Sequence, residues 1–280
     1  MSNSMEIEIT NKEFNLLKSY VYDHTGINLS DQKVNLLKTR LNKRLRALKL
    51  NTFKEYYEFL IKNEAEYEDF VNAISTNVTS FFREPRQWEF LKKEINNIQV
   101  KNSGKLRIWS SASSTGEEPY TIGMFLKEEL KNFENGNIKI LATDISHDAL
   151  TKAIKGVFSQ KSMAGLERQF ILKNFTRIDK SDSYRINEDI RKLILFREFN
   201  LVYGNYSLFK EGTFDIVFCR NVMIYFDNET KNRIIHNLVR TLKKGGYILL
   251  GHSENLMNYK GVEYVMPTVY RKIWKVYKWQ

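Results

Sequence analysis

Apolar side chains recur with helical spacing along the first 75 or so residues. Phe14, Leu16, Leu17, Tyr20 and Val21 predict a helix over Asn11–His24, with Gly26 as its stop. Ser30 is a candidate N-cap for the next helix, in which Val34, Leu37, Leu41, Leu45 and Leu48 recur at spacings of 3, 4, 4 and 3. Thr52 and Glu55 have capping-box spacing and open a helix through Tyr56, Phe59 and Leu60; a fourth covers Glu64–Ile74. From Leu106 onward the period changes. Short β-rich runs (Leu106–Trp109, Ile138–Ala142, Phe214–Phe218, Tyr247–Leu250) alternate with helical segments (Gly116 onward, Ser146–Lys155, Glu229–Leu242), and Val262–Val265 with Val269–Tyr277 predict a closing hairpin. Such alternation predicts a doubly wound α/β sheet that binds ligands at the carboxyl ends of its strands. The rhythm breaks between about 161 and 200: Leu166–Asn174 is expected to be helical, and Thr176–Asp179 with Tyr184–Asn187 predict a small hairpin around Lys180–Ser183, an insertion on the main sheet.

The second helix carries Lys33, Lys38, Arg40, Lys43, Arg44, Arg46 and Lys49, with no acid between Asp31 and Glu55. At 100° per residue Lys33, Arg40, Lys43 and Arg44 fall away from the leucine stripe. A solvated face is the ordinary reading, but surface helices usually interleave charges of both signs. The face therefore reads as a docking surface for an acidic partner. The formal net charge of +11 points the same way, without choosing among nucleic acid, an anionic membrane and an acidic protein. A single cysteine, Cys219, excludes an internal disulfide and fits a reducing compartment; with four scattered histidines, no zinc spacing appears, and no metal is expected. No apolar run approaches the roughly 20 residues that span a bilayer, and the N-terminus lacks a secretory-signal layout.

The chain is organised around Arg107–Tyr120, RIWSSASSTGEEPY. It reads as a strand, a loop of small residues that lets a ligand approach the backbone, and a helix starting near Gly116 with unpaired N–H groups. Glu117 and Glu118 in that first turn set negative charge at the loop's mouth, where a phosphate site would want Lys or glycine amides; a ligand with a cationic end fits better. Asp144 ends the second strand, where an acid takes ribose hydroxyls in nucleotide-binding α/β folds, or serves only as an acid ahead of Ser146. Two further polar clusters are Asn77–Glu84 (NVTSFFRE), a pocket lid or a capped helix junction, and Cys219–Phe226 (CRNVMIYF), in which Asn221 and Tyr225 follow a strand.

In this order, NVTSFFRE, RIWSSASSTGEEPYTI, ILATDIS, FDIVFCRNVMIYF and LKKGGYILLGHSEN make the chain similar, over nearly its whole length, to the chemotaxis receptor methyltransferases, the CheR family. The resemblance implies a Rossmann-like class I S-adenosylmethionine-dependent methyltransferase sheet with a small β-subdomain at about 175–198, forming a domain over 76–280. An all-α receptor-docking domain over 1–75 precedes it. It implies methyl transfer from S-adenosylmethionine to glutamate side-chain carboxylates of chemotaxis receptors, with S-adenosylhomocysteine as product: a protein-glutamate O-methyltransferase serving sensory adaptation. Asn77, Thr79 and Arg83 would contact the cofactor from the lid side. Glu118 would sit near the methionine amino group, Asp144 would hold the ribose, Asn200 and Leu201 would flank the adenine, and Arg220 and Asn221 would line the same pocket. Arg83 and Tyr225 would be the catalytic residues, facing the reacting methyl and the incoming carboxylate.

The resemblance also implies that the basic helix, through Lys33, Arg40, Lys43 and Arg44, docks on the cytoplasmic helical bundle of the receptors. The enzyme is then expected to be a cytoplasmic monomer recruited to membrane-bound receptors, without membrane insertion or nucleic acid as partner. Some members grip a receptor tether with a glycine-containing hairpin loop; Ile178–Tyr184 here has no glycine, which predicts a tether-independent enzyme. Two other readings compete. One is a nucleic-acid methyltransferase, against which the missing proline-rich loop after the fourth strand argues. The other is a non-catalytic receptor-array adaptor, against which intact Arg83, Glu118, Asp144 and Tyr225 argue.

Overall fold

The computed structural model describes residues 6–134, 136–178, 182–257 and 259–273. It divides into two compact units, one formed by residues 1–76 with 225–230, the other by 77–224 with 231–280.

The N-terminal unit holds α1 (Asn11–Thr25), α2 (Val34–Leu48), α3 (Phe53–Leu60) and α4 (Glu64–Ile74). Thr10 and Glu13 close a reciprocal capping box at the start of α1, satisfying two otherwise orphaned N–H groups. Ser30 does not cap α2: it precedes a short 3-10 turn, Asp31–Lys33, and makes no side-chain capping bond. Thr52 accepts from the Glu55 N–H, but the Glu55 carboxylate reaches the Asn51 N–H, so only half of the expected box forms. The predicted stripe is the inward face of α2, where Leu37, Leu41 and Leu45 are at most 2% exposed; Phe14, Leu17, Phe53, Tyr56 and Phe70 of the other helices are buried as well. Burying each leucine is worth about 1.5–3 kcal/mol, which secures a short helix of low intrinsic stability.

The second unit opens with α5 (Pro85–Lys101), continues with β1 (Lys105–Ser110), α6 (Glu117–Glu129), β2 (Asn137–Asp144), α7 (His147–Lys155), β3 (Val157–Ser159), α8 (Arg168–Asn174), β4 (Phe175–Arg177), β5 (Ser183–Ile186), α9 (Glu188–Arg191), β6 (Ile194–Glu198) and β7 (Phe214–Cys219), and closes with α10 (Asn228–Thr241), β8 (Leu242–Leu250), β9 (Val262–Met266) and β10 (Val269–Lys272). Seven strands form the main sheet in the order β6-β2-β1-β7-β8-β10-β9. The first five in that order run parallel, and β10 and β9 finish the sheet as an antiparallel hairpin. Residues 274–277 of the predicted hairpin lie outside the described residues.

The insertion differs from expectation at both ends. Val157–Ser159 joins Phe175–Arg177 and Ser183–Ile186 in a three-stranded antiparallel sheet, whereas Ile194–Glu198 pairs in parallel with β2 and so belongs to the main sheet. Residues 179–181 of the glycine-free loop lie outside the described residues. The helix α5 was not among the predicted elements; its Trp88, Leu91 and Ile95 pack with Ile122 and Phe125 of α6 against Ile108, Ile216 and Phe218. Tyr120 and Met124 of α6 meet Phe158, Phe175 and Ile186 of the small sheet. Apolar surface on both sides thus fixes α6, the helix that follows the small-residue loop.

Candidate active site

Because β6, β2, β1 and β7 are parallel neighbours, their carboxyl ends line up along one edge. Each delivers a candidate residue there: Asn200 after β6, Asp144 at the end of β2, the Ser110–Gly116 loop after β1, and Arg220–Asn221 after β7. The strand order reverses direction at β1, the switch point at which doubly wound sheets open a crevice.

The loop is built by backbone bonds to its neighbours. Ser111 donates from both N–H and Oγ to the Phe218 carbonyl, at 2.9 and 2.8 Å, and the Ser113 N–H donates to Thr143 O at 2.8 Å. Ser114, with φ +48°, turns its N–H onto Asp144 Oδ2 at 2.7 Å. Gly116 has φ +102°, and a Cβ there would stand 3.0 Å from the Ala153 Cβ and 3.1 Å from the Tyr120 ring, so both conformation and space demand glycine.

Glu118 is the centre of the polar cluster. Ser110 Oγ donates to its Oε1 at 2.6 Å, and Arg220 Nη1 stands 3.6 Å from its Oε2. Burial pushes the Glu118 carboxyl up from its ordinary value of 4.5, with Arg220, the Ser110 hydroxyl and Arg83 pulling the other way. Glu117, also buried, accepts from Thr115 Oγ1 at 2.6 Å rather than opening onto the loop's mouth. The two acids are therefore not a matched pair awaiting one cation: Glu117 is satisfied locally, while Glu118 keeps acceptor capacity beside a guanidinium too far away for a tight hydrogen bond.

Asp144 is held at both oxygens, by Ser114 N–H on Oδ2 and by Ser146 N–H at 3.0 Å on Oδ1. Burial pushes this carboxyl up against those backbone bonds. The Ile145 N–H acts on the same carboxylate, and the acceptor capacity left over is suited to a hydroxyl group. The Phe199 N–H donates to Asp144 O at 3.0 Å, which brings the start of the Asn200 turn to the same edge. There Asn200 Oδ1 accepts from Val202 N–H at 2.8 Å, and Leu201 is buried.

The Asn77–Glu84 segment joins this cluster. Asn77 Oδ1 accepts from Ser114 Oγ at 3.4 Å, the Arg83 side chain donates to Val78 O at 3.2 Å, and the Arg83 carbonyl accepts from both Arg220 Nη2 (2.5 Å) and Trp88 Nε1 (2.9 Å). Phe82 and Glu84 both have positive φ, +50° and +62°, an unusual backbone for non-glycine residues that concentrates strain here. Thr79 is half-buried in the same segment. Tyr225 is grouped with the N-terminal unit, where its carbonyl accepts from Asn28 N–H at 2.8 Å and Lys33 Nζ stands 5.4 Å from its ring centroid.

Among the described residues, Arg220 Nε and Ser113 Oγ, both buried at this edge, have no hydrogen-bond partner. An orphaned guanidinium donor, an acceptor-competent Glu118 and an Asp144 with acceptor capacity to spare fit a ligand carrying an ammonium group, a carboxylate and a ribose. Among the described residues no group of acids, histidines or cysteine could hold a metal ion, and no helix is long and apolar enough to cross a membrane.

The basic helix is less uniform than its charge suggests. Arg44 donates bidentately to the buried Glu66 at 2.9 and 2.6 Å and pairs with Asp69 at 2.6 Å, with Tyr56 Oη completing the Glu66 contacts. It is not available as a docking cation, because its charge neutralises a buried acid. Arg40 donates to the Ile74 carbonyl and to Thr76 Oγ1, and Lys38 pairs with Glu8. Lys43, Arg46 and Lys49 are exposed, and among the described residues none of them has an ion-pair partner.

The fold and the site are those of an S-adenosylmethionine-dependent methyltransferase preceded by a helical domain. Residues 77–271 match the family model described as CheR methyltransferase, SAM binding domain, and residues 12–75 match CheR methyltransferase, all-alpha domain. The chain is 38% identical over 277 residues to the chemotaxis protein methyltransferase of Borreliella burgdorferi, covering 96% of this chain and 97% of that one. It is 38% identical to chemotaxis protein methyltransferase 2 of Pseudomonas aeruginosa (91% and 90% covered), and 35% identical to the chemotaxis protein methyltransferase of Escherichia coli (89% and 86% covered). The chain belongs to the CheR family of chemotaxis methyltransferases, and its cofactor is S-adenosylmethionine.

Proposed function

We propose that the protein esterifies glutamate side chains of chemotaxis receptors, acting as a protein-glutamate O-methyltransferase in sensory adaptation. The observation that carries this reading is the exposed, unpaired positive charge of Lys43, Arg46 and Lys49 in a chain whose other unit is a SAM-binding domain. An acidic helical protein surface fits that charge, and membrane-bound receptors would recruit the enzyme, as a monomer, from the cytoplasm.

S-adenosylmethionine supplies a sulfonium-bound methyl group that an ionised carboxylate accepts directly, leaving S-adenosylhomocysteine and a methyl ester. The protein's part is then positioning, since a glutamate is already an anionic nucleophile near neutral pH. Glu118 and Arg220 would hold the amino-acid end, Asp144 the ribose, and Asn200 and Leu201 the adenine side, with Asn77, Thr79 and Asn221 completing the pocket. Arg83 and Tyr225 are the proposed catalytic residues, Arg83 orienting the carboxylate and Tyr225 hydrogen-bonding near the transfer point. Lys33 and Arg40 extend the docking set beside Tyr225.

Incubation with methyl-labelled cofactor and a receptor cytoplasmic domain, followed by mild base, tests the reaction. Release of volatile methanol is expected; base-stable label, or label on nucleic acid, would overturn it. Tyr225→Phe is expected to lower kcat at least tenfold while leaving affinity for S-adenosylhomocysteine unchanged, and equal losses in both would remove Tyr225 from the reacting centre.

A further inference from the structure

Glu254 is a buried carboxylate outside the proposed cofactor contacts. It closes the turn Gly251–Glu254 that follows β8, with its own N–H donating to Gly251 O at 3.0 Å. Its side chain takes three backbone donors: Oε2 accepts from Gly251 N–H at 2.6 Å and Asn221 N–H at 3.0 Å, and Oε1 accepts from Met223 N–H at 2.7 Å. A carboxylate thus bridges the carboxyl ends of two neighbouring parallel strands, where Cys219 is paired with Leu250.

The segment it holds is conformationally costly. Asn221 has φ +56°, in the left-handed region, and is pressed against Gly251: a Cβ on Gly251 would stand 2.5 Å from the Asn221 nitrogen and 2.6 Å from its Nδ2. Such a backbone persists only where its surroundings over-determine it. Three charge-assisted N–H bonds to one carboxylate do so, and they stretch over the residues that carry Arg220 and Asn221 to the cofactor edge. The same turn reaches the lid segment, since the His252 N–H donates to Glu84 Oε1 at 3.0 Å. The turn therefore joins two of the polar segments that the sheet brings together.

We infer that Glu254 is a positioning residue for the cofactor pocket: its carboxylate clamps the Asn221–Met223 backbone and so fixes how Arg220 and Asn221 face S-adenosylmethionine. The inference rests on the proposed cofactor role of those two residues. Glutamine is the sharpest substitution, because its amide keeps one acceptor but turns an NH2 group toward N–H donors that the carboxylate now satisfies.

Full-length Glu254→Gln is compared with wild type in three measurements: S-adenosylhomocysteine affinity by calorimetry, hydrogen–deuterium exchange of a peptide covering 219–224, and KM for each substrate. Expected are about tenfold weaker binding, comparable to losing one charge-assisted hydrogen bond, and faster exchange in 219–224 but not in 214–218. KM should rise for S-adenosylmethionine and stay unchanged for the receptor domain. Unchanged exchange, or faster exchange with unchanged affinity, would overturn the inference. Should Glu254→Gln fail to fold, Glu254→Asp, which keeps the charge on a shorter arm, takes its place in all three measurements, and the same outcomes support or overturn the inference. Asn221→Ala separates the underlying reading: wild-type affinity in that variant removes Asn221 from the cofactor contacts, while Glu254 is still judged by its own exchange and affinity.

Discussion

Glu118 and Asp144 are carboxyls that burial pushes above their ordinary values of 4.5 and 3.8, each opposed by hydrogen bonds to its ionised form. The sign of the resulting pH dependence follows from proton counting. Between the unfolded and the raised folded values, the native ligand-free protein binds more protons than the unfolded chain. Their contribution to stability is therefore complete below the ordinary values and is lost as pH rises through the folded ones. Glu118→Gln removes one share of that loss, so its melting temperature should decline less than wild type between about pH 4 and 7 in a calorimetric series. The same substitution removes the negative charge proposed to face the cofactor's ammonium group and should weaken S-adenosylhomocysteine binding about tenfold or more. At Gly116 the expected effect is on the fold: Gly116→Ala adds a Cβ at positive φ against Ala153 and should cost about 1–3 kcal/mol in denaturant titration.

At the scale of elements, α2 divides by face into a buried leucine stripe and a charged side. Its inward stripe was legible in the sequence because Leu37, Leu41 and Leu45 repeat with the helix, and Leu41→Ala should cost about 2–5 kcal/mol of unfolding free energy. The charged side was only partly legible. The run of cations is visible in the chain, but Arg44 answers Glu66 and Asp69 of α4, an arrangement between separate helices that helical periodicity does not encode. Arg44→Ala leaves Glu66 buried without its cation, though still bonded to Tyr56 Oη, and should destabilise the N-terminal unit on the order of 3 kcal/mol. Arg46→Glu, at an exposed position, should leave the melting temperature nearly unchanged and lower the rate of receptor methylation. Comparing the two variants by melting and by initial rate distinguishes a docking cation from a structural one; loss of stability in Arg46→Glu would count against this division.

For the molecule as a whole, the proposed association with an acidic receptor bundle should weaken as salt rises, because exposed charges are screened beyond about 10 Å at 0.1 M. Receptor binding by surface plasmon resonance should fall steeply between about 0.05 and 0.3 M salt, whereas calorimetric affinity for S-adenosylhomocysteine, for which the proposed contacts Asp144 and Arg220 are buried, should change less. Parallel losses in both would place the salt effect on the fold instead.

The chain by itself determined whatever depends on neighbours in sequence. The leucine stripe, the strand–helix alternation, the small-residue loop ahead of Glu118 and the ordered motifs that resemble one family all repeat or recur locally. Only the tertiary structure decided matters that join distant segments. Val157–Ser159 is too short to show a period and becomes a strand by pairing with Ser183–Ile186. Ile194–Glu198 lies in sequence beside the small sheet, yet parallel pairing with β2 draws it into the main one. Glu117 and Glu118 are adjacent identical residues, but successive helix positions point about 100° apart, and the fold sets a local hydroxyl by one and Arg220 by the other. The carboxylate of Glu254 meets the N–H groups of Asn221 and Met223 because two parallel strands end side by side, a relation that no spacing along the chain can express.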